Sequence, residues 1–155
     1  IMKITGAMGK TQTMTEDEVE RFLKSKLNLQ LATIDEMGDP NIQPVWFDYD
    51  KSNKKLFVMT SKASKKAQNV RRKSTIYFSI DDENFPYKGV KGKGEVMKLE
   101  DPEKVMSNAE KINMKYLGTL DHPLAKMLIE NTRNGIEIVL EITPKFFSTW
   151  DFDKS

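Results

Sequence analysis

The chain has 155 residues, 38% of them apolar and 31% charged, with 25 Lys and Arg set against 23 Asp and Glu. That is about one globular domain with a moderate core. Its near balance of charge argues against a dedicated nucleic-acid coat protein or a polybasic membrane arm. It contains no cysteine, which removes disulfide scaffolds, thiolate metal sites and thiol nucleophiles and suits a reducing cytoplasm, and no run approaches the roughly 18 consecutive apolar residues of a membrane-spanning helix.

Residues 1–14 carry two Gly and three Thr with no apolar period, and they read as a flexible arm before a single domain over 15–155. Nothing in them resembles the apolar core of a secretory signal. Thr15-Glu16-Asp17-Glu18 is a capping-box sequence, and Val19, Phe22, Leu23 and Leu27 follow at helical spacing, so a helix is predicted over 15–27. Strands follow. Leu29, Leu31 and Thr33 alternate with Asn28, Gln30 and Ala32 up to the turn at 35–40, a second strand runs from Ile42 to Tyr49, and a third covers 55–60. A short basic helix from Ser64 to Lys73 presents Ala63, Ala67 and Val70 as a narrow apolar stripe.

Strand four is Thr75 to Ile80. A fifth, from about Tyr87 to Leu99, is punctuated by Gly89, Gly92 and Gly94, a spacing that suggests bending or close backbone approach at a barrel corner. Asp101-Pro102 opens a helix over about 102–117, and a second helical stretch covers 123–131. The single histidine, His122, precedes it in a loop sequence. One imidazole cannot build a histidine-rich zinc site, and acid–base catalysis is left without its commonest side chain. No metal ligand and no catalytic side chain are assigned, so any catalysis falls to a bound cofactor. Gly135 releases a strand over 136–142, Pro144 is expected to end it, and Phe146 to Phe152 makes a last short strand. The expected fold is mainly β with appended helices: an antiparallel Greek-key split β-barrel of six to seven strands.

Between Lys51 and Lys73 stand nine basic residues and no Asp or Glu. The centre of this block, Thr60-Ser61-Lys62-Ala63-Ser64-Lys65-Lys66, falls between a strand and a helix start. It combines hydroxyls, ammoniums, free backbone N–H groups and the positive end of a helix dipole, which are the parts of a phosphate site. A solvated helix face with Ser64 as an ordinary N-cap explains the same residues. So does a nucleic-acid surface with Trp46, Phe47 and Tyr77 as stacking platforms, although those aromatics belong mainly to strand interiors.

Three stretches, in this order and spacing, resemble the FMN-binding split-barrel proteins related to pyridoxamine 5'-phosphate oxidase. They are Leu31-Ala32-Thr33-Ile34 through Gly38-Asp39-Pro40, then Gln43-Pro44-Val45-Trp46-Phe47, and then Phe57-Val58-Met59-Thr60-Ser61 followed by Ser64-Lys65-Lys66-Ala67-Gln68-Asn69-Val70-Arg71-Arg72. The resemblance implies a homodimer with FMN in a groove between subunits. In that arrangement Lys65 and Lys66 hold the phosphate and Ser64 adds a hydroxyl or N–H. Met59, Thr60 and Ser61 line the cofactor, while Gln43, Pro44, Val45 and Trp46 edge the ring system. Tyr87 falls near a ring-contacting position, and Trp150 is placed to close the pocket.

The resemblance further implies an oxidoreductase passing a hydride or electron pair between the flavin and a small organic substrate, with no nucleic-acid or membrane partner. Gln43-Pro44 stands where true pyridoxamine phosphate oxidases carry an arginine, and the ending Phe146 to Asp151 lacks their basic, histidine-containing motif. Oxidation of a vitamin B6 phosphate is therefore not the activity implied. The stretch from Lys66 to Arg72 is equally similar to the deazaflavin-dependent branch of the superfamily. A deazaflavin coenzyme and a non-enzymatic flavin-binding role stay as alternatives.

Overall fold

A computed structural model describes residues 2–154 of the chain. The elements in chain order are β1 (Ile4–Gly6), α1 (Glu16–Phe22), β2 (Leu29–Ile34), β3 (Pro40–Val45), β4 (Phe47–Asp50), β5 (Lys55–Ser61), α2 (Lys65–Arg72), β6 (Thr75–Asp82), β7 (Lys88–Leu99), α3 (Pro102–Leu117), α4 (Pro123–Arg133) and β8 (Glu137–Asp151). Alternation along the strands decides what faces inward. Leu29 and Leu31 of β2, Leu56 and Val58 of β5, Ile76, Phe78 and Ile80 of β6, and Ile138, Leu140 and Ile142 of β8 meet in one core. Among the described residues, no helix is long and apolar enough to cross a membrane.

The sheet runs β3-β2-β6-β7-β8-β5-β4, every neighbouring pair antiparallel, and it curls into a half-barrel. From β5 the chain passes through α2 and re-enters the sheet at β6, leaving a gap of two strands that β7 and β8 fill. The two ends of this order, β3 and β4, are consecutive in the chain with only Trp46 between them. The sheet must therefore curl until its edges meet at Trp46. The strand predicted from Ile42 to Tyr49 is thus two strands: β3 pairs with β2, and β4 pairs with β5 on the far edge. That seam is the split in the barrel.

Three other expectations change. The arm expected over 1–14 is partly built into the sheet. β1 pairs in parallel with β8, Phe147 N–H donates to Lys3 O at 2.8 Å, and Met2 and Met14 are buried. The cause is β8, whose edge pairs with β5 only over 137–142 and needs another partner at 147–149. Pro144 does not end β8. A register shift beside it, between Lys93 and Gly94 of β7, absorbs the proline in an irregularity of the ladder. Helix α1 has the predicted capping box, Thr15 Oγ1 accepting from Glu18 N–H and Glu18 Oε1 accepting from Thr15 N–H, yet it ends at Phe22. Leu27 still packs on the core from the following loop, because the Tyr116 hydroxyl donates to its carbonyl at 2.8 Å.

Candidate functional site

The strand-to-helix junction after β5 is built by local chemistry. Thr60 points inward and donates through Oγ1 to Ser64 Oγ at 2.8 Å, and Ser64 Oγ also accepts from Ala67 N–H at 3.2 Å as the N-cap of α2. With both acceptor positions used, the Ser64 hydroxyl proton is left free to donate to a ligand. Helix α2 seats on β2 through Ala67 and Val70, and through buried Asn69, whose Nδ2 donates to Thr33 Oγ1 at 2.9 Å. Ala63, expected in the apolar stripe, is exposed. Lys66 takes a place on the buried face and is only 7% exposed.

Burial lowers the pKa of Lys66, partly offset by the charge of Glu137. Glu137 opens β8 directly across the ladder from Ser61. Burial raises its pKa, with Lys66 acting in the opposite direction, and its Oε2 is buried without a hydrogen-bond partner. A cation and a carboxyl group thus face one space, both short of solvent.

That space is a cleft of about 560 Å³, within the roughly 300–1,000 Å³ usual for small-molecule sites. One side is the barrel seam, with Gln43, Pro44, Val45 and Trp46, then Met59, Thr60, Ser61, Ser64 and Lys66. The helices close the cleft with residues that were not assigned from the sequence, Ile112 and Asn113 of α3 and Leu124 and Leu128 of α4, while Asn28 and Glu137, also unassigned, extend the sheet side next to Val45 and Ser61. Tyr116 fixes α3 in place. Its ring stacks on Trp46 at 4.7 Å and 4°, and its hydroxyl accepts from Phe47 N–H at 3.2 Å. Burial pushes that hydroxyl's pKa up to about 12. The Lys115 ammonium lies 3.6 Å from the centre of the Phe47 ring and donates to Phe47 O at 2.9 Å, and burial lowers its pKa to about 8.

Two predicted site residues lie off the cleft wall. Lys65, one position round the helix from Lys66, sends its ammonium to the Glu36 carboxylate, 2.7 and 2.8 Å from its two oxygens. Tyr87 is 47% exposed and meets Phe85 and Phe152 edge-on just before β7. Trp150 does not line the cleft of its own chain either. It lies across the ladder over Gly89, where a Cβ would run into its ring, and this close approach is what the glycine permits.

The basic block is not one free field, since Lys51, Lys54, Lys55, Lys65 and Arg72 pair with Glu20, Glu16, Glu141 and Glu36. Phe47, named as a stacking platform, is fully buried. His122 is exposed as expected and caps α4, Nδ1 accepting from Leu124 N–H at 3.0 Å.

A mainly antiparallel sheet curled to a half-barrel, with a cleft at its seam, defines the split-barrel class. A conserved hypothetical protein of Mycobacterium tuberculosis superposes with a TM-score of 0.81 at 23% identity, over 94% of this chain and 90% of that one. An F420 reductase superposes at 0.68 and 25% identity over 83% and 94%, and an FAD-binding protein of Mesorhizobium loti at 0.64 and 16% over 88% and 94%. No curated protein matches the sequence significantly. The family model described as pyridoxamine 5'-phosphate oxidase matches residues 15–151, and the chain belongs to that family.

Proposed function

We propose that the cleft holds a flavin-type cofactor, FMN, and that the protein is an oxidoreductase acting on a small organic molecule. The observation that carries this reading is Lys66, a buried ammonium facing the cleft with no carboxylate in ion-pair range among the described residues. Beside it stand the Ser64 hydroxyl, its proton free to donate, and the first turn of α2, an arrangement suited to an anionic phosphate. Trp46, Ile112, Leu124 and Leu128 supply the flat, apolar walls that a conjugated ring requires. When bound, such a cofactor supplies hydride and electron-pair chemistry. The chain's own residues bind the phosphate, orient the ring and exclude water.

A second reading keeps the cleft and exchanges the cofactor for a deazaflavin coenzyme. The likeness to an F420 reductase at 25% identity supports it. Both readings take the protein as a cytoplasmic homodimer, with the partner at the cleft mouth. There the β3 edge leaves Gln43 and Pro44 exposed and Ile42 68% exposed.

The test is titration of the purified protein with FMN and with the deazaflavin coenzyme, followed by absorbance and fluorescence. Lys66→Ala is expected to weaken FMN at least about tenfold, or about 1.4 kcal/mol, and unchanged affinity overturns the site. Tighter binding of the deazaflavin selects the second reading. Light scattering of the native protein checks the dimer.

A further inference from the structure

Helix α3 brings to the cleft a buried amide that the protein leaves half-satisfied. Asn113 is 3% exposed. Its Nδ2 donates to Ala109 O at 2.8 Å, one turn back along the helix, while its Oδ1 is buried and has no partner within the protein. Turning the amide over does not help, because Oδ1 would then face the Ala109 carbonyl, acceptor against acceptor. Leucine would suit the neighbouring Ile112, Leu124 and Leu128 better, so a lone acceptor here is costly unless a ligand donates to it.

Its place along the cleft is set by the fold. Asn113 lies three residues before Tyr116, on the same face of α3, and Tyr116 stacks on Trp46. Trp46 directly precedes Phe47, which pairs with Val58 of β5. Continuing that register puts Trp46 beside Met59, about two residues, or roughly 7 Å, short of Ser61 and the α2 junction. The cleft therefore has an anion end at Ser64 and Lys66 and a ring end at Trp46 and Asn113, with Tyr116 stacked on Trp46.

We propose that Asn113 Oδ1 is a specificity-determining acceptor that takes a hydrogen bond from a ring N–H at the end of the ligand remote from its anionic group. The ligand class is a planar heterocycle bearing an imide or lactam N–H. The proposal rests on the flavin reading of the cleft.

The test is a two-by-two binding cycle, read by fluorescence titration, of wild type and Asn113→Leu with FMN and with FMN methylated at its imide nitrogen. In wild type, methylation is expected to weaken binding at least about tenfold, since it removes the donor. Asn113→Leu is expected to bind FMN at least about tenfold more weakly than wild type and to show no further loss on methylation. Its ligand-free thermal midpoint should be no lower than that of wild type, because the unpaired acceptor is gone. If wild type binds FMN and methylation costs the same in both proteins, or costs nothing, the Asn113 proposal is overturned and the flavin reading stands. If wild type binds neither ligand, both fall.

Discussion

At the scale of single residues, the cleft sets a cation and an acid against each other. Lys66 loses its proton more readily than an ordinary lysine, and Glu137 holds its proton more strongly than an ordinary carboxyl, burial being the larger cause in each. Raising the pH deprotonates both groups, and each step makes the cleft more negative. A phosphate is already largely dianionic above its second ionisation near about pH 6, so from neutrality upward the protein alone decides the trend. FMN affinity is expected to fall with rising pH more steeply than that of riboflavin, which has no phosphate. Glu137→Gln should tighten FMN wherever the Glu137 carboxyl is ionised, so the gain should grow as pH rises. Parallel pH profiles for the two ligands, followed by fluorescence, would contradict the role given to Lys66. The junction residues Thr60, Ser61, Ser64 and Lys66 were legible in the sequence because cap, hydroxyls and charge lie within seven consecutive positions. Lys65 was not separable from Lys66 by composition. Only the direction each side chain takes from α2 tells the ammonium in the cleft from the one on Glu36.

At the scale of elements, α3 is tied to the barrel seam by Tyr116. One hydroxyl accepts from Phe47 N–H and donates to Leu27 O. Tyr116→Phe leaves a backbone donor and a backbone acceptor without this partner in a partly buried place, where each unsatisfied group costs roughly 1–3 kcal/mol. With two such groups, a loss of about 2–6 kcal/mol is expected in urea unfolding, together with weaker ligand binding as the α3 wall loosens. A midpoint and an affinity equal to wild type would show that the stacked rings and Lys115 suffice. The sequence announced α3 clearly through Asp101 and Pro102, and the structure ends it at Gly118 in the left-handed conformation. Its position over the cleft was not announced, because an apolar stripe states that a helix packs, without naming the surface it packs on.

At the scale of the whole molecule, the chain's two ends are fastened together. Lys154 donates to Glu18 Oε1 at 2.6 Å and to Thr13 O at 3.0 Å, next to the β1–β8 pairing. The Lys154 hydrogen bond, helped by Thr15 N–H, holds the Glu18 carboxyl at about 2, below its ordinary 4.5. A carboxyl whose folded pKa is depressed contributes stability above the unfolded value and loses it as pH falls through the folded one. This tie is therefore complete above about pH 4.5 and is lost progressively toward about pH 2. Lys154→Ala is expected to move the Glu18 titration upward in an NMR pH series and to flatten the acid limb of the stability curve. A Glu18 titration unmoved by the substitution would place the cause elsewhere.

What depends on neighbours along the chain was legible in the sequence by itself: the alternation of β2, the strands β5 and β6, the caps of α1, α2 and α3, and the strand-to-helix junction. These follow from alternation, side-chain capping and turn chemistry acting over a few residues. Only the tertiary structure decided the break between β3 and β4 at Trp46, the continuation of β8 past Pro144, and the recruitment of β1. It also decided the far wall of the cleft, where Asn113 faces residues distant in sequence, and it set Glu137 beside Ser61. Each of these depends on which edge or surface is left unpaired once the sheet has curled, and no local pattern carries that information.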